Sequence, residues 1–476
     1  MESVQIIIFV LSGIAAYRSP FFGIVLLLIS SCTFDSMTNY TTMPLPIGSL
    51  TLADFAIFGI CIKTLRKIKN SEDDIAYKVC LMMISWLVLC SLLVLIGGHT
   101  GFREAYRTIF RIAFLWILPI TVRELSNLQK HRLITICFMI AGVIAIIQIY
   151  ASLSGNPMVL EIFYPVNYET AGFKTLGEFY QQFTNIGIVP RLYPPGNILV
   201  QMIFAFVLGL VFMGSWNHGK LFSITVLVLS FSFIVSLAGR SNVLSIFVAI
   251  IWVFYTLFRI SATGSGFNLG KKINLVFQGV FILLFCGGIL MNVSDHSLFE
   301  NIKERWGNTI STGQIDTSAT RMDDSIEGWH ALMNSPLWGI GRTKLYWEAK
   351  FETYGGQDLH PFISQGLIGG IPGILMLFLW IILLFRQFNL VIRTFFEGTS
   401  KNYALSSAVA LSSVLFLSFI NTTPVFLYSS NQVPFGIFCG LLLSRPDDDL
   451  NKNSLSTISA DNFHYSIDQL KQRGMR

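Results

Sequence analysis

The chain has 476 residues, 53% of them hydrophobic and 13% charged, with a net charge of +6 and a mean hydropathy of +0.61. A soluble chain carries roughly 25% charged residues, so these values exclude an ordinary cytosolic enzyme, a disordered protein and a secreted disulfide scaffold. A polytopic all-α membrane protein is left, and nucleic acid is no expected partner, because the cations sit in short connections between apolar runs.

A crossing helix needs about 20 apolar residues. The candidate spans are 4–34 (broken near Arg18-Ser19-Pro20), 50–66, 78–97, 107–122, 132–152, 197–214, 220–238, 241–258, 273–292, 361–385, 403–421 and 425–444. That predicts a transmembrane helical bundle of about 12–13 spans at this length per crossing. It divides into N-terminal helices in 1–152, a loop at 153–196, central helices in 197–292, a large loop with short helices at 293–360, C-terminal helices in 361–444 and a polar tail at 445–476. The N-terminus lacks a basic region and a small-residue cleavage site, so it is read as a retained span. Cys32, Cys61, Cys80, Cys90, Cys137, Cys286 and Cys439 lie in or beside apolar segments without metal-ligand spacing, which predicts buried thiols, no disulfide and no metal.

The bias of Lys and Arg sets orientation. Lys63, Arg66, Lys67, Lys69 and Lys78 mark one cytoplasmic connection; Arg123, Lys130 and Arg132 mark a second. Arg259, Lys271 and Lys272 mark a third, and Arg386, Arg393 and Lys401 a fourth. The two long loops, 153–196 and 293–360, then face outward, and the tail faces the cytoplasm.

Several polar residues fall on the outer side. Gly97-Gly98-His99-Thr100-Gly101 leads into Arg103, Arg107 and Arg111, whose spacing of four predicts one helical face. That stripe reads either as a snorkelling collar on lipid phosphates or as an anion site. Gly239-Arg240-Ser241-Asn242 turns a hairpin with almost no loop. A charge at the bilayer centre costs at least roughly 2.5–3.5 kcal/mol, so Arg240 is a paired or functional residue unless it snorkels. Pro190-Arg191-Leu192-Tyr193-Pro194-Pro195-Gly196-Asn197 fixes Arg191 near the next span, as a sugar or phosphate contact or as an interfacial anchor with Tyr193.

In the large loop, Asp323 or Asp324 is expected to cap an amphipathic surface helix bearing Ile326, Trp329, Leu332 and Met333, ended by Asn334-Ser335-Pro336. Arg321 is placed just before it, for an ion pair with Asp323, Asp324 or Glu327, or for function. The segment Pro336-Leu337-Trp338-Gly339-Ile340-Gly341 reads as a tight turn. His360-Pro361 then opens a glycine-rich helix through Gln365-Gly366-Leu367-Ile368-Gly369-Gly370-Ile371-Pro372-Gly373. Of the seven histidines, His360 is best placed to meet a membrane-embedded substrate, with His99 next.

The order Gly239-Arg240-Ser241, Arg321, Trp329, Asn334 to Gly341, His360 and Gly366-Leu367-Ile368-Gly369 resembles the O-antigen ligase/polymerase superfamily of bacterial envelope glycosyltransferases over roughly 220–385. Pro361 departs from the small polar residue often found there. The resemblance implies a GT-C-like fold in the bacterial inner membrane and metal-independent, inverting glycosyl transfer at its periplasmic face. It also implies an undecaprenyl-pyrophosphate-linked glycan as donor and no cofactor. By matching position His360 would be the general base, Arg240 and Arg321 the pyrophosphate-binding cations, and Arg191 a further member. Arg103, Arg107 and Tyr193 complete the expected substrate contacts, and membrane lipids and other assembly proteins, such as a flippase and a chain-length regulator, the expected partners.

The chemistry is self-consistent. A polyprenyl pyrophosphate is already activated, guanidiniums stabilise the charge of its departure, and a neutral imidazole suits the acceptor hydroxyl. The leading expectation is a polymerase of lipid-linked repeat units (O-antigen, capsule or exopolysaccharide), favoured by the size and by Phe163, Tyr164, Tyr168, Glu169, Tyr180, Gln181 and Gln182 in the first outer loop. The alternatives are an O-antigen ligase acting on lipid A-core, and a flippase, which the lack of a visible internal repeat disfavours.

Overall fold

The structure, a computed structural model, describes residues 2–32, 42–45, 48–67, 74–154, 196–214, 218–236, 240–262, 270, 274, 279, 318–341, 360–394, 399–421 and 429–444. These form a helical, membrane-embedded bundle. Helix α1 (Glu2–Arg18) yields to α2 (Pro20–Cys32) at the expected break: Pro20 lacks an N–H, and the Ser19 hydroxyl accepts from Phe22 N at 3.4 Å. A hairpin of β1 (Thr42–Leu45) and β2 (Gly48–Thr51) leads into α3 (Leu52–Lys67), an addition to the all-α expectation. Then follow α4 (Ile75–Ile96) and α5 (Phe102–Arg123), the latter passing through a π-turn at Ile109–Ala113 and a 3-10 turn at Phe114–Ile117. Next come α6 (Asn127–Ser154), α7 (Asn197–Met213), α8 (Lys220–Ser236) and α9 (Arg240–Ala262). The chain ends in α10 (Ser318–Asn334), α11 (Pro361–Arg393), α12 (Thr399–Asn421) and α13 (Ser429–Leu442).

Five helices among the described residues are long and apolar enough to cross a membrane: Ile75–Ile96, Phe102–Arg123, Asn127–Tyr150, Leu244–Ala262 and Pro361–Arg393. Shorter apolar helices, including Pro20–Cys32 and Asn197–Met213, pack among them. The expected span at 273–292 lies outside the described residues apart from single positions. Helix α7 is the hub. Beyond Gln201, whose Nε2 donates to Asn197 Oδ1, it is apolar all round; every residue from Ile198 to Met213 is buried, and α6, α8, α9, α12 and α13 enclose it. The periphery is the reverse: α1 leaves Ile6, Ile7, Ile8, Val10, Leu11 and Ile14 exposed, as a lipid-facing surface requires. The six described cysteines are buried and form no disulfide among the described residues; Cys286 lies outside them.

The helices share a common direction code. Thr399 opens α12 beside the end of α11, where Lys401 Nζ donates to Thr394 O. Ser413, about 21 Å farther along α12 at 1.5 Å per residue, donates to Ser245 O of α9 at 3.3 Å. Arg259, near the end of α9, donates to Asn389 Oδ1 of α11 at 3.3 Å. Helices α9 and α11 therefore begin at the same end of the bundle, and Arg259, Arg386 and Arg393 stand at the other.

Candidate functional site

His360 stands at the start of α11, with extended backbone (φ −56°, ψ 136°) and Pro361 in the first helical position. Its Nδ1 accepts from Phe362 N at 3.4 Å, the weak limit for such a bond. The neutral ring then carries its proton on Nε2, a tautomer assigned from that bond. The imidazole lies 5.4 Å from the Phe362 ring, which stacks on Phe378 at 4.3 Å. Pro361 thus sets the imidazole as a helix cap.

Below His360, α11 is broken at Gly370 (φ 66°, ψ −171°). The segment after α10 fills the break. Ile340 N and Gly341 N both donate to Leu367 O at 2.9 Å, and Ile371 N donates to Pro336 O at 2.7 Å. From α4, Trp86 Nε1 donates to Gly369 O at 2.7 Å. A Cβ at Gly339 would overlap Leu367 O, and one at Gly370 would overlap Leu337 O. Both residues also hold positive φ, so only glycine satisfies the contact and the conformation together. The tight turn and the glycine-rich helix opening, separate features in the sequence, are two halves of one interlock. Gly341 meets Val94 and Thr100, which fastens the interlock to the α4–α5 turn carrying the exposed His99.

Arg240 is the first residue of α9. It stands about 28 Å from Arg259 along the axis, level with the break in α11 and at the same end of the bundle as His360. Arg321 lies inside α10, which begins at Ser318, so it does not precede the helix. The expected cap at Asp323 or Asp324 is corrected with it, since both fall beyond the first turn; the helix ends at Asn334 as expected. Buried Ala331 and Leu332 hold α10, with Leu332 against Gly366 of α11, while Ile326, Trp329 and Met333 stay exposed. The single apolar face expected for these residues is therefore split: Leu332 turns to the protein and the others turn outward. Arg191 and Tyr193 lie outside the described residues, next to Gly196, which opens α7.

The three-arginine stripe is corrected as well. Arg103 is exposed, and Arg107 pairs with Glu104 Oε1 at 2.8 Å within its own helix. Arg111 falls in the π-turn, where the spacing of four no longer preserves a face. Its Nε lies 3.5 Å from Asp54 Oδ1 of α3, a carboxylate 3% exposed. Asp54 also accepts from Thr51 N at 2.8 Å, so Arg111 balances a buried structural charge.

Sequence reasoning missed a cluster at the opposite end. His131 Nδ1 lies 2.8 Å from Tyr403 OH, Tyr403 OH 3.0 Å from His218 Nε2, and Thr135 Oγ1 3.2 Å from His218 Nδ1. The two imidazoles stack at 4.2 Å. Burial, helped by His131, pushes His218 down from its ordinary 6.5 to about 4. Residues 131, 218 and 403 are too far apart in sequence for a motif; the only signal was that each flanks a span on the basic side. Among the described residues, no three His, Cys, Asp or Glu converge as a metal set. The chain matches no family model, no curated protein and no solved structure.

Proposed function

We propose that this protein is an integral membrane glycosyltransferase that polymerises undecaprenyl-pyrophosphate-linked repeat units at the periplasmic face of a bacterial inner membrane. One observation carries the reading: the imidazole of His360 caps α11 at the end of the bundle where Arg240 opens α9 and α10, bearing Arg321, is docked. In the proposed reaction the donor pyrophosphate is bound by Arg240 and Arg321. Bidentate guanidinium contacts stabilise the charge that grows as the glycosyl bond breaks. The acceptor hydroxyl displaces Phe362 N at Nδ1 of His360 and gives its proton to that nitrogen. A 3.4 Å hydrogen bond is a small loss in that exchange. Attack from the face opposite the leaving group inverts the anomeric centre.

The break in α11 bears on the flippase alternative. Transporters use discontinuous helices to expose backbone groups to a substrate or ion. Here Leu367 O, Gly369 O and Ile371 N are taken by Ile340, Gly341, Trp86 and Pro336 of the chain itself, which favours an enzyme scaffold.

The test supplies purified full-length protein with a lipid-linked repeat unit in detergent, without nucleotide. A ladder of longer lipid-linked chains is expected. Transfer to lipid A-core alone reassigns the protein as a ligase, and lipid movement in liposomes without covalent change reassigns it as a flippase.

A further inference from the structure

A cavity of about 1060 Å³ opens at the end of the bundle remote from His360. Its wall carries Arg123 from α5, Arg259 from α9, and Arg386 and Arg393 from α11, against one carboxylate among the described residues, Asp74. Three of the four basic connections of the sequence thus each send arginine to one place. Asp74 is already engaged: it pairs with Arg123, and its Oδ1 accepts from Ala76 N and Tyr77 N at the start of α4. Among the described residues, no carboxylate pairs with Arg259, Arg386 or Arg393. Arg259 is held in place by Asn389 Oδ1 and lies 5.9 Å over the Tyr255 ring. Guanidiniums gathered around one cavity repel one another unless an anion joins them, and the planar fork matches phosphate oxygens.

The mouth identifies the kind of phosphate. Ile382 is 61% exposed, Leu390 52% and Phe385 49%, and all three line the same cavity on the outer face of α11. A soluble phosphate ester gains nothing from such a rim, whereas an acyl chain does. We propose that this cavity binds the headgroup of an anionic glycerophospholipid from the leaflet on the basic side, its phosphate among Arg259, Arg386 and Arg393 and its acyl chains along Ile382, Phe385 and Leu390. Basic pockets between membrane helices are suited to such headgroups. This inference is independent of glycosyl transfer.

The experiment is native mass spectrometry of the full-length protein in neutral detergent, titrated with phosphatidylglycerol, phosphatidylcholine or glycerol 3-phosphate. Saturable phosphatidylglycerol adducts are expected, with phosphatidylcholine far weaker. The R386Q/R393Q variant should bind roughly tenfold more weakly for each guanidinium removed. R132Q, which removes an exposed basic charge outside the cavity, should bind like the parent. Both arginines at 386 and 393 are exposed, so folding is checked by an unchanged Tm. Equal uptake of the two lipids, parental binding by R386Q/R393Q, or glycerol 3-phosphate binding as tightly as the lipid would each overturn the assignment.

Discussion

The two ends of α11 solve opposite problems. At the His360 end the helix is interrupted and its backbone groups are handed to its neighbours, so position is fixed by hydrogen bonds accepted at Leu367 O and Gly369 O and donated by Ile371 N. At the Arg393 end the helix is regular and the side chains bring charge, with Arg386 and Arg393 facing the cavity shared with Arg259. The first end is held by backbone hydrogen bonds and presents an imidazole as the helix cap. The second is a charged basin whose occupant comes from outside. The contrast teaches that one long helix can serve a positional and an electrostatic task when its break keeps the two apart.

The sharpest way to break this comparison is at the imidazole. His360→Ala should lower chain elongation by about 10²–10⁴-fold, the usual worth of a general base, with unchanged membrane insertion; product within a few-fold of the parent removes His360 as the base. Arg240→Lys should cost about 10–100-fold, because an ammonium cannot reproduce the bidentate fork, read as kcat on the lipid-linked donor. Gly370→Ala puts a Cβ against Leu337 O at a positive φ, a strain of about 1–3 kcal/mol before the overlap is counted. Its thermal unfolding in detergent should come several degrees early, and an unchanged Tm would mean that the interlock is not needed. Trp86→Phe removes one hydrogen bond to Gly369 O and should cost about 1 kcal/mol, measured the same way.

The effect at the basic end shows only as a dependence on pH. Between about pH 4 and its ordinary 6.5, His218 is neutral in the folded chain and protonated in the unfolded one. The folded state then holds fewer protons, so this contribution is complete above about 6.5 and is lost as pH falls toward 4. His218→Gln should flatten the acid limb of a Tm-against-pH curve; the same slope in parent and variant would rule out His218 as its source.

Much of this was legible one residue at a time. The break at Arg18-Ser19-Pro20, the end of α10 at Asn334-Ser335-Pro336 and the opening of α11 at His360-Pro361 are local chemistry, which a sequence states directly. The Arg107–Arg111 pair misled because a spacing of four assumes a regular helix, and the π-turn that redirects Arg111 answers to Asp54, 57 residues earlier. The start of α10 was missed because acidic residues suit a first turn as well as a second. The histidine cluster and the fit of Pro336–Gly341 into α11 depend on pairs far apart in the chain, such as Trp86 with Gly369, and no window of sequence contains both partners.

The all-round burial of α7 has a consequence for biogenesis. Its most extensive neighbour is α12, with Gly209 against Ser406, and that helix leaves the ribosome nearly 200 residues later. At about 5–20 residues per second, the nascent hub waits roughly 10–40 s with one flank against acyl chains or an insertion factor before its lifelong neighbour arrives. A chain stopped short of α12 would keep that flank open, a handle for membrane quality-control proteases.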